Sequence, residues 1–205
     1  MNTTPLFPLF VKLEGKNCLV VGGTALLEAK IEGLLASGAK VRVIANDVTE
    51  GIWKLAAEGK VWWEQKTFEV SDLDGVDLVV AADRDQRTNE LVFAEAEARR
   101  VLCNVVDQPE HCNFYYPALV RRGHLQIAIS TGGLSPSLAS RIRKELEQQF
   151  GPEYVEWVNA LGKARGRILQ FRAPSEKRTR LLKRIASKHS LKQFRQSQPD
   201  GEGAL

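Results

Sequence analysis

The apolar residues of this chain fall into short unbroken runs that alternate with longer stretches of helical spacing. Cys18-Leu19-Val20-Val21 is the first run, and its continuity suits a strand buried on both faces. Leu26, Leu27, Lys30, Ile31, Leu34 and Leu35 then recur at roughly helical intervals, and Gly38 lies where a helix would stop. Val41-Arg42-Val43-Ile44 reads as the next strand. Glu50 to Glu58 reads as a short helix stopped by Gly59. Val61-Trp62-Trp63 begins a third strand, with the two tryptophans on opposite faces. Asp77 to Ala82 forms a fourth, ending in the polar turn Asp83-Arg84-Asp85. Thr88 to Arg100 is a helix, and Val101 to Val106 is a fifth strand terminated by Asp107. Ahead of all these, Phe7 to Leu13 reads as a short edge segment.

Strands that alternate with helices imply an α/β protein with a parallel sheet covered on both faces. Ligands of such sheets bind outside the carboxyl ends of the strands. Gly22 to Thr24, Asn46-Asp47, Asp83 to Asp85 and Asn104 to Asp107 all fall at those ends. The first of these is the opening of a βαβ unit, where glycines admit a pyrophosphate to backbone N–H groups and the helix N-terminus favours negative charge. The usual spacing is G-x-G-x-x-G. Here Gly22-Gly23-Thr24-Ala25-Leu26-Leu27 keeps the first glycine, places Thr24 at the second and Leu27 at the third. Thr24 adds bulk and a hydroxyl able to meet a phosphate oxygen, while Leu27 would hold the helix further from its strand. The motif alone serves a nucleotide or an ordinary α/β turn equally well.

Beyond Pro109 the pattern changes. Phe114-Tyr115-Tyr116-Pro117 is aromatic, a short segment runs to Val120, and Arg121-Arg122-Gly123 reads as a basic turn. Leu125 to Ser130 alternates with period two, and Thr131-Gly132-Gly133 is a turn. Ser135-Pro136 is suited to start a helix, with Ser135 as its cap. The helix that follows carries Leu138, Ile142 and Leu146 as its apolar stripe and is broken at Gly151-Pro152; further helices run from about Glu153 to Phe171 and from Ser175 to Ser187. The tail 197–205 is polar and glycine-containing, and disorder is expected there.

Composition narrows the classes. A hydrophobic share of 43% over 205 residues supports a proper core and a smaller second domain. The net charge of +4, from 29 basic and 25 acidic residues, favours an anionic ligand, and no base-stacking pattern beside it points to nucleic acid. No run is long enough to span a membrane, and the N-terminus lacks the basic start of a signal peptide. The three cysteines, Cys18, Cys103 and Cys112, form no disulfide framework, which points to a reducing compartment and hence the cytoplasm. Cys103, His111 and Cys112 match no standard zinc spacing, so no protein metal site is expected.

Several segments together resemble the precorrin-2 dehydrogenase and sirohydrochlorin ferrochelatase family, which includes the N-terminal module of siroheme synthases. They are the glycine turn with Glu28-Ala29-Lys30, Val79 to Asp85, Cys103 to Asp107, Phe114 to Ala118, and Arg121 to Glu147. The most specific parts are Ile127 to Pro136 and Asn104-Val105-Val106-Asp107. The resemblance implies a Rossmann-type domain over 1–113, a small dimerisation segment over 114–150 and a helical C-terminal domain over 151–196. It implies NAD-dependent oxidation of precorrin-2 to sirohydrochlorin by a homodimer, with ferrous iron a further substrate in some members. It makes Asp107 the catalytic carboxylate. Gly22, Gly23, Thr24, Ala25, Leu26, Asn46, Asp47 and Asp83 become the cofactor positions. Asn104, Arg121, Ser130, Thr131, Gly132 and Gly133 become the tetrapyrrole positions. Thr24 and Leu27 depart from the family pattern and leave a second reading open. In it the chain binds tetrapyrrole without catalysis, has weakened NAD binding, and passes its ligand to a separate chelatase.

Overall fold

The computed structural model describes residues 5–170 and 174–197. Its contacts divide the chain after Tyr116 into two compact units.

The first unit is the expected parallel sheet. Strands β1 (Asn17–Val21), β2 (Lys40–Ile44), β3 (Trp62–Glu64), β4 (Leu78–Ala81) and β5 (Leu102–Val105) lie in the order β3-β2-β1-β4-β5. All four pairings are parallel. The order reverses direction between β2 and β4, on either side of β1, and a crevice opens at the carboxyl ends of such a switch. Register aligns those ends: Val21 lies opposite both Ile44 and Ala81, and Ala81 opposite Val105. Helices α1 (Ala25–Leu35), α2 (Glu50–Ala57) and α3 (Gln86–Arg99) connect the strands.

Two apolar clusters flank the sheet. Cys18, Val20, Val41, Val43 and Val80 face Leu27, Ile31, Leu34 and Ile52 on one side. Leu19, Val21, Ile44, Val79 and Cys103 face Val92 and Ala96 on the other. Alternate residues of β1 serve opposite clusters, which is why its sequence is a continuous apolar run. Trp63 packs inward and donates its Nε1–H to the Ala45 carbonyl at 3.0 Å, while Trp62 is 70% exposed. Phe7 to Leu13 forms no strand. Its residues are irregular, and Pro8 removes one backbone donor that a ladder would need.

The second unit holds an antiparallel pair, β6 (Ala118–Arg122) and β7 (Leu125–Ile129), with helices α4 (Pro136–Gln149), α5 (Tyr154–Gln170), α6 (Ser175–Ile185) and α7 (Lys188–Ser197). Arg121 and Arg122 belong to β6, so the turn is Gly123-His124 and not the basic triplet expected from sequence. Helix α7 has no counterpart among the helices expected from sequence, and Ser197, assigned to the tail, closes it. Residues 198–205 of that tail, and Phe171 at the end of the second helix, lie outside the described residues. Phe114 to Tyr116 fall in the first unit, beyond the boundary drawn at 113. The Asn104 side chain explains this by donating to the Phe114 carbonyl at 2.9 Å. Among the described residues no helix is long and apolar enough to cross a membrane.

Candidate functional site

The glycine turn is built by close backbone approach. A Cβ at Gly22 would stand 2.6 Å from the Ala82 carbonyl oxygen, and one at Gly23 would stand 1.9 Å from that of Asp47. Gly22 also has φ +108, a conformation that side chains disfavour. The two glycines therefore let the loops after β1, β2 and β4 converge. Sequence assigns Gly23 to cofactor contact, and the structure adds a packing requirement at the same residue. Thr49 reinforces the junction: its N–H donates to the Gly23 carbonyl at 3.0 Å, and its hydroxyl donates to Glu28 of α1.

Helix α1 starts at this junction with an open N-terminus. Thr24 has extended cap geometry but makes no cap hydrogen bond, and its Oγ1 is buried without a partner. The first amides of a helix have no i−4 acceptor; the Leu27 N–H turns to the Thr24 carbonyl at 3.0 Å, and those of Ala25 and Leu26 remain available to an anion. Ala25 is exposed, as is the apolar side chain of Leu26 at 57%. Leu27, expected to act as a spacer, is fully buried and fills the first cluster between helix and sheet. A converging glycine turn below an uncapped helix fits the pyrophosphate of a dinucleotide.

Asn46 and Asp47 are exposed on one side of this turn. Asp83 lies on the other, its N–H and carbonyl both bound by the buried Asn89 side chain at 2.9 Å. Asp83 Oδ1 accepts from the Asp85 N–H at 2.9 Å. Arg84 reaches across to Asp47 at 3.1 Å, joining the two loops through an exposed ion pair. Asn89 and Arg84 do not stand out as site residues in the sequence. A polar residue facing inward from a helix, as Asn89 does on α3, is the available signal.

Asp107 follows β5 with φ +62 and an exposed side chain. This left-handed turn is one that Asp and Asn tolerate better than most residues. Asn104 beneath it is buried. Its amide donates to Phe114 O and to the Cys112 sulfur at 3.3 Å, so it braces the segment after β5. Lys30 of α1 faces the same region. Its Nζ stands 3.9 Å above the Tyr116 ring, and burial lowers its pKa while the Asp107 carboxylate opposes that shift. Burial, with Asp77 adding, pushes the Cys18 thiol up to about 11, and burial with Cys112 beside it pushes Cys103 to about 12. Both are core residues. Among the described residues no cluster of three His, Cys, Asp or Glu side chains is placed to hold a metal.

The remaining expected residues lie in the second unit. Arg121 is exposed on β6. Ser130 Oγ accepts from the Gly132 N–H, and Thr131 Oγ1 from the Ser135 N–H, each at 3.1 Å. Gly132 and Gly133 take φ +63 and +82 in this turn. Arg122 is committed to structure, donating to the Phe150 and Glu147 carbonyls at the end of α4.

Known proteins match the chain in two corresponding parts. The family model described as "Putative NAD(P)-binding" matches residues 9–118, and that described as "Sirohaem biosynthesis protein central" matches residues 122–149. Siroheme synthase of Actinobacillus pleuropneumoniae serotype 3 is 41% identical over 145 residues, covering 71% of this chain and 30% of that protein. Siroheme synthase of Neisseria meningitidis serogroup B is 38% identical over 162 residues, covering 79% of this chain and 34% of its own. The chain thus spans about a third of the length of the curated relatives it matches. A solved structure described as SirC, precorrin-2 dehydrogenase, superposes with a TM-score of 0.76 at 28% identity, covering 93% of this chain and 98% of that one.

Proposed function

The chain belongs to the NAD(P)-binding family whose model spans its residues 9–118, and from that premise we propose that it oxidises precorrin-2 to sirohydrochlorin in siroheme biosynthesis, with NAD as acceptor. Asp107 carries this reading: an exposed carboxylate in a left-handed turn at the same strand-end edge as the glycine turn. The similar solved structure described as a precorrin-2 dehydrogenase supports it.

The oxidation removes one hydride and one proton from the tetrapyrrole. NAD, when bound, supplies the hydride acceptor. The chain's own residues hold and orient the reactants. Gly22, whose own N–H is bonded to the Ile44 carbonyl, lets the backbone pass close beneath the pyrophosphate, and backbone amides from Gly23 through Leu26 receive it, with Asn46 and Asp47 on the β2 side and Asp83 on the β4 side. Asp107 accepts the proton as general base. Asn104, Arg121, Ser130, Thr131, Gly132 and Gly133 are assigned to the tetrapyrrole, whose carboxylates suit the guanidinium of Arg121. The protein acts as a homodimer in the cytoplasm. Among the described residues the β6–β7 pair has an unpaired edge on each strand, which a second copy can cover. Ferrous iron is a further substrate in this reading. The macrocycle supplies its ligands, and Asp107 takes the two pyrrole protons one at a time, passing the first to solvent water before it accepts the second.

The test is anaerobic oxidation of precorrin-2 with NAD, followed by absorbance, for the native chain and Asp107→Asn. Asparagine tolerates the φ of this turn, so the comparison isolates the carboxylate. Sirohydrochlorin formation is expected to fall by about 100-fold or more. Undiminished formation in the variant would keep the enzyme and reject Asp107 as its base. Tetrapyrrole binding by a native chain that shows no turnover would favour the carrier reading instead. Ferrous iron added after oxidation tests insertion.

A further inference from the structure

Lys30 is a cation held on an aromatic ring. It lies on α1 beside the buried stripe of Leu27, Ile31 and Leu34, and its side chain is half-buried. The other partly buried basic groups of this unit are neutralised: Arg42 reaches Glu64 and Asp72, and Lys66 reaches Asp72 and Glu69. Among the described residues Lys30 is in no ion pair. A tyrosine ring occupies one side of its ammonium instead, 3.9 Å away, and Phe114 supports that ring at 5.4 Å between centroids. Burial depresses its pKa, and the Asp107 carboxylate acts against that depression.

An ammonium partly stripped of water, resting on an aromatic face, retains unused N–H donors. It can therefore bind an anion with less further loss of hydration. The cofactor pyrophosphate does not account for it. That group belongs at the start of α1, and Lys30 lies roughly 8 Å further along the axis at about 1.5 Å per residue.

We propose that Lys30, seated on Tyr116 beside Asp107, is a carboxylate-binding subsite that grips one acidic side chain of the tetrapyrrole and so sets the macrocycle against the base. The inference rests on the function proposed above. It differs from a packing role in needing the charge and not the length of the side chain. It also leaves both Asp107 oxygens free, because the lysine takes the substrate's carboxylate in place of the enzyme's.

The test is titration of the full chain with sirohydrochlorin under anaerobic conditions, with NAD binding measured in parallel. Lys30→Gln is expected to weaken sirohydrochlorin binding by about tenfold, the loss of one charge-assisted contact, while NAD affinity and melting temperature hold. Lys30→Arg is expected to recover most of the binding. Native-like affinity in Lys30→Gln would overturn the subsite and leave the enzyme standing. Equal losses for NAD and tetrapyrrole, or no recovery in a folded Lys30→Arg, would assign the lysine to packing and overturn it too. A native chain that neither binds nor oxidises the tetrapyrrole would overturn the proposed function itself, and the subsite with it.

Discussion

Thr24 occupies the position where a dinucleotide turn usually carries its second glycine. A threonine at a helix start normally accepts from an amide two or three residues on. Thr24 has the backbone for this, φ −83 and ψ 159, yet its Oγ1 is buried and unpaired. A hydroxyl left in that state costs about 1–3 kcal/mol, so its replacement by a methyl group of similar shape removes a penalty. Thr24→Val is expected to raise stability by about 1 kcal/mol in urea unfolding and to change NAD affinity by less than about twofold. A marked loss of NAD affinity would show that the hydroxyl turns outward to phosphate, the role that its chemistry suggests from sequence. Leu27 behaves in the same way. Its departure from the glycine pattern is legible in the sequence, but only the structure shows the space between α1 and the sheet that it fills.

At the scale of elements, the loop after β4 is held by one side chain. Asn89 accepts from the Asp83 N–H and donates to the Asp83 carbonyl, both at 2.9 Å, from a buried position on α3. Asn89→Ala leaves that backbone pair without partners and is expected to cost about 2 kcal/mol of stability. NAD affinity should fall with it, because the loop borders the α1 N-terminus. Unfolding by urea and a calorimetric NAD titration check both effects, and native-like values would show that water replaces the amide. The parallel sheet is legible because its central strands are apolar on both faces, as Cys18 to Val21 and Leu78 to Ala81 are. The N-terminal Phe7 to Leu13 has similar composition but forms no strand, since apolarity without a paired neighbour does not make one. Arg121 and Arg122 look like a turn because strand and turn residues meet there, and the ladder Arg121 to Gln126 decides the boundary. Helix α7 is polar, and its inner face is marked by buried Leu191 with partly buried Phe194 one turn on. In the site, Gly22 and Gly23 are readable from local pattern, whereas Asp107 reads locally as a strand-end turn and gains its role only through the family resemblance. Asn89 and Lys30 are not readable as site residues, because their meaning depends on residues far along the chain.

For the whole molecule, the separation into two units makes a statement about independence. Both apolar clusters of the sheet are formed by residues that precede Pro117. The last of these is Phe114, which packs on the cluster around Leu27 and meets the Tyr116 ring at a tilt, 5.4 Å between centroids. Asn104 and Asn113 bind this segment to β5: Asn104 donates to the Phe114 carbonyl, while Asn113 accepts from the Cys103 N–H at 2.7 Å and donates to the Val101 carbonyl. The segment therefore completes the first unit, whereas the family resemblance places a boundary before it. A fragment ending at Tyr116 is expected to unfold cooperatively and to bind NAD within a few-fold of the full chain. A fragment ending at Asn113 loses the Phe114 side chain and the ring beneath Lys30. It should be less stable by about 2 kcal/mol, the scale of removing one partly buried aromatic contact. Urea unfolding of the two fragments decides the point. Equal midpoints would mean that the aromatic segment contributes nothing to the first unit and belongs functionally with the second. A midpoint gap with NAD affinity preserved in the longer fragment would establish the nucleotide site as a property of the sheet unit alone.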